Sequence, residues 1–398
     1  MAKLIDITGK AISGEWGTDD LVGNGVPVLR TTNFTNIGVV NFNNVVTRQI
    51  VKKSISEKLL RYGDIIIEKS GGSDKQPVGR VVFFEGENNK YLFNNFTGLL
   101  RVRDFCKWNP KYIFYSLFSN YANGGTIPFE NRTTGLHNLQ TDSYVNSVMI
   151  VERKIEEQTD IVTILDKVNQ LINYEKKQLE DLDILVKSRF IEMFGDVEES
   201  SKRWNTVYLE KVIQSIESGW SGNGIQRNKL EGEIAVLKVS AVTKGFFIPS
   251  ECKVLEDQKN IKKYIYPHKD DLLFSRANTK EMVGATVIIS KDFPELILPD
   301  KLWRIRFNEL ANIYFIKYVL SSRSIRNKLS SEATGTSGSM YNISMQKLKQ
   351  LAIPLPPTDL QNNFAAFVSK IDKSKLAIQQ SLDELETLKK SLMQQYFG

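Results

Sequence analysis

The 398-residue chain repeats itself with a period of roughly 204 residues. Five segments recur in the same order in both halves: Ser13–Trp16 with Glu217–Trp220, Tyr62–Ile67 with Lys269–Phe274, Gly98–Arg103 with Lys301–Arg306, Leu179–Ser188 with Leu382–Ser391, and Phe194–Gly195 with Phe397–Gly398. Chance explains one such match but not an ordered series. The sequence therefore predicts a duplicated scaffold, and the divergence between the matched segments predicts two different surfaces.

Each half begins with a region rich in short apolar runs and in Gly, Asn, Thr and Ser turns. The runs Asp64–Ile67, Val81–Phe84 and Thr286–Ile289 predict strands. Helices are predicted at Pro110–Asn120 and Ala311–Leu329. We therefore expect an α+β protein with two mixed α/β domains in a tandem, pseudo-symmetric repeat.

Each half ends in a long segment with apolar residues at three- and four-residue spacing and no proline or glycine. We predict two long helices that pair along an apolar seam. The predicted seam residues are Ile161, Leu165, Val168, Leu179, Leu182 and Leu185 on the first helix, and Phe364, Phe367, Ile371, Leu382, Leu385 and Leu388 on the second. The repeat favours an antiparallel coiled coil, although the domain between the helices leaves a parallel pairing open.

These patterns divide the chain into four predicted parts. Residues 1–152 form the first domain, 153–196 the first long helix, 197–357 the second domain and 358–398 the second long helix.

Charge differs between these parts. Residues 1–150 carry a net charge of +4 and residues 201–357 carry +9, whereas residues 151–200 carry −6 and residues 358–398 are neutral. Basic domains suit phosphate, and acidic or neutral helices suit protein partners. Ordinary charge scatter explains the same numbers about equally well.

Several classes of protein are excluded or disfavoured. No run of eighteen apolar residues indicates a membrane span, and the first ten residues have no secretory signal pattern. Cys106 and Cys252 are the only cysteines, which disfavours a disulfide scaffold or a cysteine-based zinc site. We expect a cytoplasmic protein without a metal site.

The order of these features resembles the specificity subunit of type I restriction-modification systems, over essentially the whole chain. The resemblance is carried by Trp204–Leu209, by Asn342–Ser344 and Leu351–Pro357, and by the step Asp359–Gln361 into the second helix. The first half has the counterpart Val148–Val151 followed by Glu156–Gln158. The first copy lacks the family's proline pair, and Leu360 stands where the family usually has glutamate.

The resemblance implies two target-recognition domains that each bind one half of a split, double-stranded DNA sequence. It implies that the paired helices set the gap between the half-sites and dock two modification (methyltransferase) subunits, with restriction subunits as further partners. S-adenosylmethionine, and ATP and magnesium where a nuclease is present, would be bound by those partners and not by this chain. Because the two domains differ, the target should be asymmetric.

We predict the DNA contacts on loops that follow apolar strands, since polar and basic side chains can reach phosphates and base edges there. The first domain offers three groups: Arg30, Thr31, Thr32 and Asn33; Lys69, Ser70, Gly71, Gly72 and Arg80; and Asn131, Arg132, Thr133 and Thr134. The second domain offers Lys238 and Ser240; Arg276, Asn278 and Lys280; and Thr334, Thr336, Ser337 and Ser339. Ordinary turns and solvated arginines are the competing interpretation of each residue. The alternating Arg101, Arg103, Arg304 and Arg306 fit scaffold ion pairs equally well and are left out.

No catalytic motif accompanies these groups. His137 and His268 lack partner motifs, and methyltransferase and P-loop signatures are absent from the sequence. We therefore predict a non-catalytic subunit. Two alternatives remain: a recognition subunit of a modification-only or related anti-phage system, and a coiled-coil adaptor that joins two protein-binding domains.

Overall fold

The structure is a computed structural model that describes residues 1–50, 55–74, 76–133, 136–197, 203–335 and 340–398. The chain divides into two compact units, one made of residues 1–176 and 380–398 and the other of residues 177–379. Among the described residues, no helix has the length and apolar character needed to cross a bilayer.

Over its described residues, the first unit contains short strands, three short or medium helices and part of each long helix. Its strands are β1 Ala2–Lys3, β2 Ile12–Ser13, β3 Thr18–Asp19, β4 Val26–Leu29, β5 Val46–Gln49, β6 Ile65–Glu68, β7 Ser70–Gly72, β8 Val81–Phe83, β9 Leu92–Phe93, β10 Thr97–Leu100, β11 Glu130–Thr133, β12 Leu136–Leu139 and β13 Met149–Ile150. Its helices are α1 Leu4–Thr8, α2 Pro110–Ala122, α3 Thr141–Ser147 and the long α4 Ile155–Phe194, which continues into the second unit.

Strand β6 shows why the apolar runs form strands in the middle of a sheet. Alternate side chains of a strand point to opposite faces, so a continuous apolar run needs cover on both sides. Ile65 and Ile67 pack into the core beneath α2, whereas Ile66 packs into a second core with Phe34 and Phe84. All three isoleucines are fully buried. This strand lies in a sheet of order β2-β10-β6-β8.

The second unit also combines short strands, short helices and part of each long helix. Its strands are β14 Thr206–Tyr208, β15 Ile213–Ser218, β16 Gly224–Ile225, β17 Ala235–Leu237, β18 Cys252–Leu255, β19 Leu272–Ser275, β20 Ala277–Asn278, β21 Thr286–Ile288, β22 Leu296–Ile297, β23 Leu302–Phe307, β24 Thr334–Gly335, β25 Tyr341–Asn342 and β26 Ala352–Pro354. Its helices are α5 Ile313–Ser321, α6 Arg323–Glu332, α7 Met345–Lys349 and the long α8 Thr358–Phe397, which ends in the first unit.

The sheets of the two units have corresponding strand orders. The order β2-β10-β6-β8 corresponds to β15-β23-β19-β21, and β3-β5-β4-β9 corresponds to β16-β18-β17-β22. The three-stranded sheet β11-β12-β7 corresponds to β24-β25-β20, and the pair β1-β13 to β14-β26. In each unit, one parallel pair (β4 with β9, β17 with β22) lies in an otherwise antiparallel sheet.

A buried glutamine occupies corresponding places at the start of the two long helices. Gln158 accepts a hydrogen bond from the backbone N–H of Asn109 at 2.9 Å, and Gln361 accepts one from Asn312 at 2.8 Å. Both side chains are fully buried, and both also donate to two backbone carbonyls. The two asparagines in turn cap α2 and α5. These are the glutamines of the segments Glu156–Gln158 and Asp359–Gln361.

The predicted helix over Ala311–Leu329 is wrong in its continuity. The structure has two helices, α5 and α6, that are separated at Ser322, whose backbone is extended with φ −63° and ψ 149°. Ser322 bonds to the carbonyl of Val319 at 2.7 Å through its hydroxyl group. A serine that satisfies a helix-end carbonyl can end a helix without proline or glycine.

Segments of the two long helices contact each other within each unit. In the first unit Ser381 donates to Glu175 at 2.6 Å, and Leu165 shares a core with Met393. In the second unit Lys375 pairs with Asp183 at 2.5 Å, and the ring centroids of Phe190 and Phe364 lie 5.4 Å apart. Within each unit, the contacting residue of α8 has a lower number as the contacting residue of α4 has a higher one, so the two helix segments run in opposite directions.

Two of the predicted seam residues are wrong, since Leu185 and Leu388 are each 46% exposed. The inward residue of α4 is Val186, which is fully buried beside Phe190 and Phe194. One residue turns a helix by about 100°, so a seam assigned one position out of phase points towards solvent. The other predicted seam residues are buried or half-buried: Ile161, Leu165, Val168, Leu179, Leu182, Phe364, Phe367, Ile371, Leu382 and Leu385.

Candidate nucleic-acid interface

The three groups of candidate residues in the first unit lie in one region of the fold. Arg80 donates to the carbonyl oxygen of Thr31 at 3.3 Å, which joins the first group to the second. Strands β7 and β11 pair with opposite edges of β12, so that His137 lies across from Gly72 on one side and from Arg132 on the other. Residues far apart in sequence therefore form one polar region.

The first group is a turn of 3-10 helix, Thr31–Asn33, rather than an open loop. Asn33 is buried, accepts from the backbone N–H of Arg30 at 3.0 Å and donates to the carbonyl of Asn41 at 3.0 Å. Its amide therefore serves its own turn. Thr31 is half-buried and Thr32 exposed, and the buried Nε of Arg30 has no hydrogen-bond partner in the described part of the chain.

Two cations of the second group differ in their partners. Arg80 forms two hydrogen bonds with the buried carboxylate of Glu68, at 2.8 and 3.0 Å, and this contact raises the pKa of the guanidinium. Lys69 donates instead to the neutral hydroxyl of Ser13 at 2.7 Å. Partial burial lowers the pKa of Lys69. Among the described residues, no carboxylate lies within 4 Å of its ammonium group.

Ser70, Gly71 and Gly72 form strand β7, not a loop. Gly71 has φ +126°, in the region that favours glycine, and a Cβ on Gly72 would lie 2.6 Å from the backbone nitrogen of Val78. Close packing of the chain on itself therefore accounts for the two glycines, and their approach to a phosphate stays a prediction.

The third group lies on β11, which is a strand where a loop was expected. Asn131 accepts from the side chain of Gln140 at 2.7 Å. The side chain of Arg132 is 63% exposed and lies 3.7 Å from Glu130 and 3.9 Å from Asp74, beyond hydrogen-bond distance. Thr133 ends the strand, and Thr134 lies outside the described residues.

In the second unit the first group is held by an acidic residue. Lys238 pairs with Glu251 at 2.8 Å, and Ser240 donates to the same carboxylate at 2.5 Å. The hydrogen bond from Lys238 and, to a lesser extent, that from Ser240 lower the pKa of Glu251. Within the described ranges, no hydrogen bond or ion pair joins Lys238 or Ser240 to the other two groups.

The second and third groups of this unit meet on one small sheet. Strand β25 pairs with both β20 and β24, so Tyr341 lies opposite Asn278 and Gly335. Arg276 donates through Nε to the carbonyl of Asp300 at 3.0 Å, and Lys280 is exposed. Thr334 lies on β24, which is a strand and not a loop, and Thr336, Ser337 and Ser339 lie outside the described residues.

The sequence and the fold are both similar to those of known proteins. Residues 201–387 match the family model of the type I restriction modification DNA specificity domain. Over 398 residues the chain is 23% identical to the type I restriction enzyme EcoKI specificity subunit of Escherichia coli K12, which covers 94% of this chain and 82% of that subunit. Residues 201–387 therefore belong to the type I restriction modification DNA specificity domain family, and the chain as a whole is similar to type I specificity subunits.

Another specificity subunit matches a shorter stretch of the chain. The EcoEI specificity subunit of Escherichia coli is 28% identical over 162 residues, which is 40% of this chain but only 27% of that protein. Two solved structures share the fold along the whole chain. They are the type I S subunit from M. genitalium, with a TM-score of 0.58, 13% identity and 95% of its length covered, and a chain from a study of type I complex assembly, with values of 0.53, 14% and 96%.

The acids that pair with candidate cations were the main omission from the sequence-based prediction. The side chains of Glu68 and Glu130 are only 1% and 2% exposed. Glu130 accepts from His137 at 3.1 Å and from the backbone of Val78 at 2.8 Å. The sequence signals were present: Glu68 directly follows an apolar run, and Ser13, the partner of Lys69, lies in a repeated segment. The pairing itself depends on strand register.

Proposed function

We propose that this specificity subunit recognises an asymmetric, bipartite double-stranded DNA target, with one half-site read by each of two recognition domains. One observation carries the proposal: the two units have corresponding sheet orders but different side chains in their candidate groups. A repeated scaffold presents corresponding places to DNA, and different polar groups there select different bases. This reading makes the chain a tandem, pseudo-symmetric repeat.

We further propose that α4 and α8 form an antiparallel coiled coil that docks two modification subunits and sets the gap between the half-sites. The contacts of Ser381 with Glu175 and of Phe364 with Phe190 support this pairing within each unit. The net charge of −6 over residues 151–200 suits a protein partner better than DNA.

In this proposal the chain selects the site and partner subunits perform the chemistry. Methylation would use S-adenosylmethionine bound by the modification subunits, and cleavage would use ATP and magnesium on restriction subunits. Such a complex would act on cellular DNA in the cytoplasm.

A methylation map of the host genome, with and without this chain, tests the proposal. We expect one split motif to lose its methylation on deletion and to regain it on complementation with the wild-type chain. A duplex that contains this motif should bind the complex of chain and modification subunits with an affinity that falls about 10³-fold or more between 50 and 200 mM salt. If no motif loses its methylation on deletion, or if binding does not depend on salt, a DNA-recognition role is excluded and a protein adaptor is favoured.

A further inference from the structure

Lys69 and Arg276 occupy the same place in the two units. Each follows the strand that lies next to the end of its four-stranded sheet, β6 or β19, and precedes the small strand β7 or β20. Each donates its backbone N–H to the residue before β10 or β23, and each accepts at its carbonyl from β12 or from the residue after β25. The partners are Phe96 and Leu139 for Lys69, at 2.8 Å each, and Lys301 and Ile343 for Arg276, at 3.0 and 2.9 Å.

Both side chains are half-buried cations whose hydrogen bonds, among the described residues, go to neutral oxygens. The guanidinium of Arg276 also lies 5.9 Å from the ring centroid of Trp303. Lys69 uses one of its three donors on the hydroxyl of Ser13, and Arg276 uses Nε on the carbonyl of Asp300. In the described part of the structure, neither has a carboxylate within 4 Å.

Other cations on the same sheets are neutralised. Arg80 pairs with Glu68 at 2.8 Å and Arg101 with Asp64 at 2.6 Å. In the second unit, Arg304 pairs with Glu217 at 2.6 Å and Arg306 with Asp271 at 2.7 Å. A partly buried charge is normally compensated, and among the described residues Lys69 and Arg276 differ from these four arginines in lacking an acidic partner. Arg30 and Arg326, elsewhere in the fold, likewise bond only to backbone carbonyls in the described part of the chain.

Comparison of corresponding positions in the two units shows which charged residues are present in both and which are present in one unit only. The backbone N–H of Glu68 bonds to the carbonyl of Arg80 at 2.8 Å, and the corresponding bond in the second unit joins Ser275 to Ala285 at 2.9 Å. Both members of the ion pair are thus neutral in the second copy, as expected for charges that serve only each other. The neighbouring position holds a cation in both copies, Lys69 or Arg276.

We propose that Lys69 and Arg276 are corresponding phosphate-binding residues, each of which holds one phosphodiester of the DNA backbone without reading its sequence. This inference rests on the proposed DNA-recognition function and deepens it, because it separates positioning contacts from base contacts. A phosphate oxygen would accept from the unused donors and would supply the missing negative charge. Arg80 and Lys238, which have acidic partners, take no part in this contact.

The test measures how DNA affinity depends on salt for the full chain in complex with its modification subunits. The variants are Lys69→Met, Arg276→Met and the double variant. The control variants Lys90→Met and Lys349→Met each remove a lysine that is already paired: Lys90 is exposed and pairs with Glu87, and Lys349 is half-buried and pairs with Glu210. Each protein binds a duplex with the methylated motif and a duplex with a scrambled sequence. Lys69→Gln and Arg276→Lys serve as second variants, and circular dichroism checks folding.

Each single substitution should make the slope of log Kobs against log salt shallower by about 0.9, and the double variant by about 1.8. This corresponds to roughly eightfold weaker binding at 0.1 M salt for each lost phosphate contact. The loss should be equal for both duplexes, and Arg276→Lys and the two controls should keep the wild-type slope.

Three outcomes would overturn the inference. Wild-type slopes in folded Lys69→Met and Arg276→Met proteins would show that neither residue meets a phosphate, while the DNA-recognition function itself stands. A loss confined to the motif duplex would make the residues base-contacting instead. Failure of the wild-type complex to bind any duplex would reject the proposed function and this inference with it.

Discussion

Replacement of Phe364 by alanine should strongly destabilise the second unit. Phe364 is fully buried, and its ring centroid lies 5.4 Å from Phe190, 5.6 Å from Phe194 and 5.2 Å from Tyr318. A buried Phe→Ala substitution costs about 3–5 kcal/mol of unfolding free energy. Each aromatic pair contributes about 0.5–1.5 kcal/mol of its own, so three lost pairs favour the upper end of this range.

Urea unfolding followed by circular dichroism measures this loss. With a slope near 2 kcal/mol per molar urea, the midpoint of the affected transition should fall by roughly 2 M. Leu185→Ala is the matched control in the same unit, because Leu185 is 46% exposed and should change the free energy by less than about 0.5 kcal/mol. Equal effects of the two substitutions would refute the assignment of the buried face of the helices.

Three further outcomes follow from the ion pairs and the buried glutamines. Arg80→Met should lower the unfolding free energy by about 3–5 kcal/mol, because it leaves the carboxylate of Glu68 buried without a partner. Adding Glu68→Ser should restore most of this stability in a urea titration; no recovery would contradict the scaffold role of the pair. Gln361→Leu should cost about 2–4 kcal/mol, since it leaves the N–H of Asn312 and two carbonyls unsatisfied, and a thermal melt unchanged from wild type would disprove this. Hydrogen bonds from Arg227 and then from the backbone of Leu230 lower the pKa of Glu233 to about 2. The ionised Glu233 therefore contributes its full stabilisation of the folded state above its ordinary pKa near 4.5, and this contribution is lost as the pH falls towards 2. Arg227→Met should move the NMR titration midpoint of Glu233 upwards, and an unmoved midpoint would rule out the pair.

The strongly periodic or apolar segments could be predicted from sequence because burial alone determines them. Ile65–Ile67 lies within a predicted strand, and the structure extends α2 by only two residues beyond the predicted Asn120. The break at Ser322 could not be predicted, since it depends on a hydroxyl group that bonds to the preceding turn. The phase of α4 near Leu185 was equally hidden, because Ile184, Leu185 and Val186 are adjacent apolar residues that each fit some three- and four-residue spacing.

The candidate DNA contacts were harder to predict than the fold. A sequence shows that Lys69, Arg80 and Arg276 are basic, but strand register decides which of them meets an acid. The residues at 68 and 80 face each other because β6 and β8 pair. Register sets these partners over sequence separations that local patterns do not encode.

The corresponding strand orders have a consequence for engineering. Positions in and beside the corresponding strands have a counterpart in the other unit, as Lys69 has in Arg276 and Glu68 in Ser275. The two units therefore offer alternative residues for the same backbone pattern. A residue pair can therefore be transferred between corresponding positions, for example by placing the serine and alanine of Ser275 and Ala285 at positions 68 and 80. Such a transfer exchanges residues between two copies that have diverged within a single polypeptide.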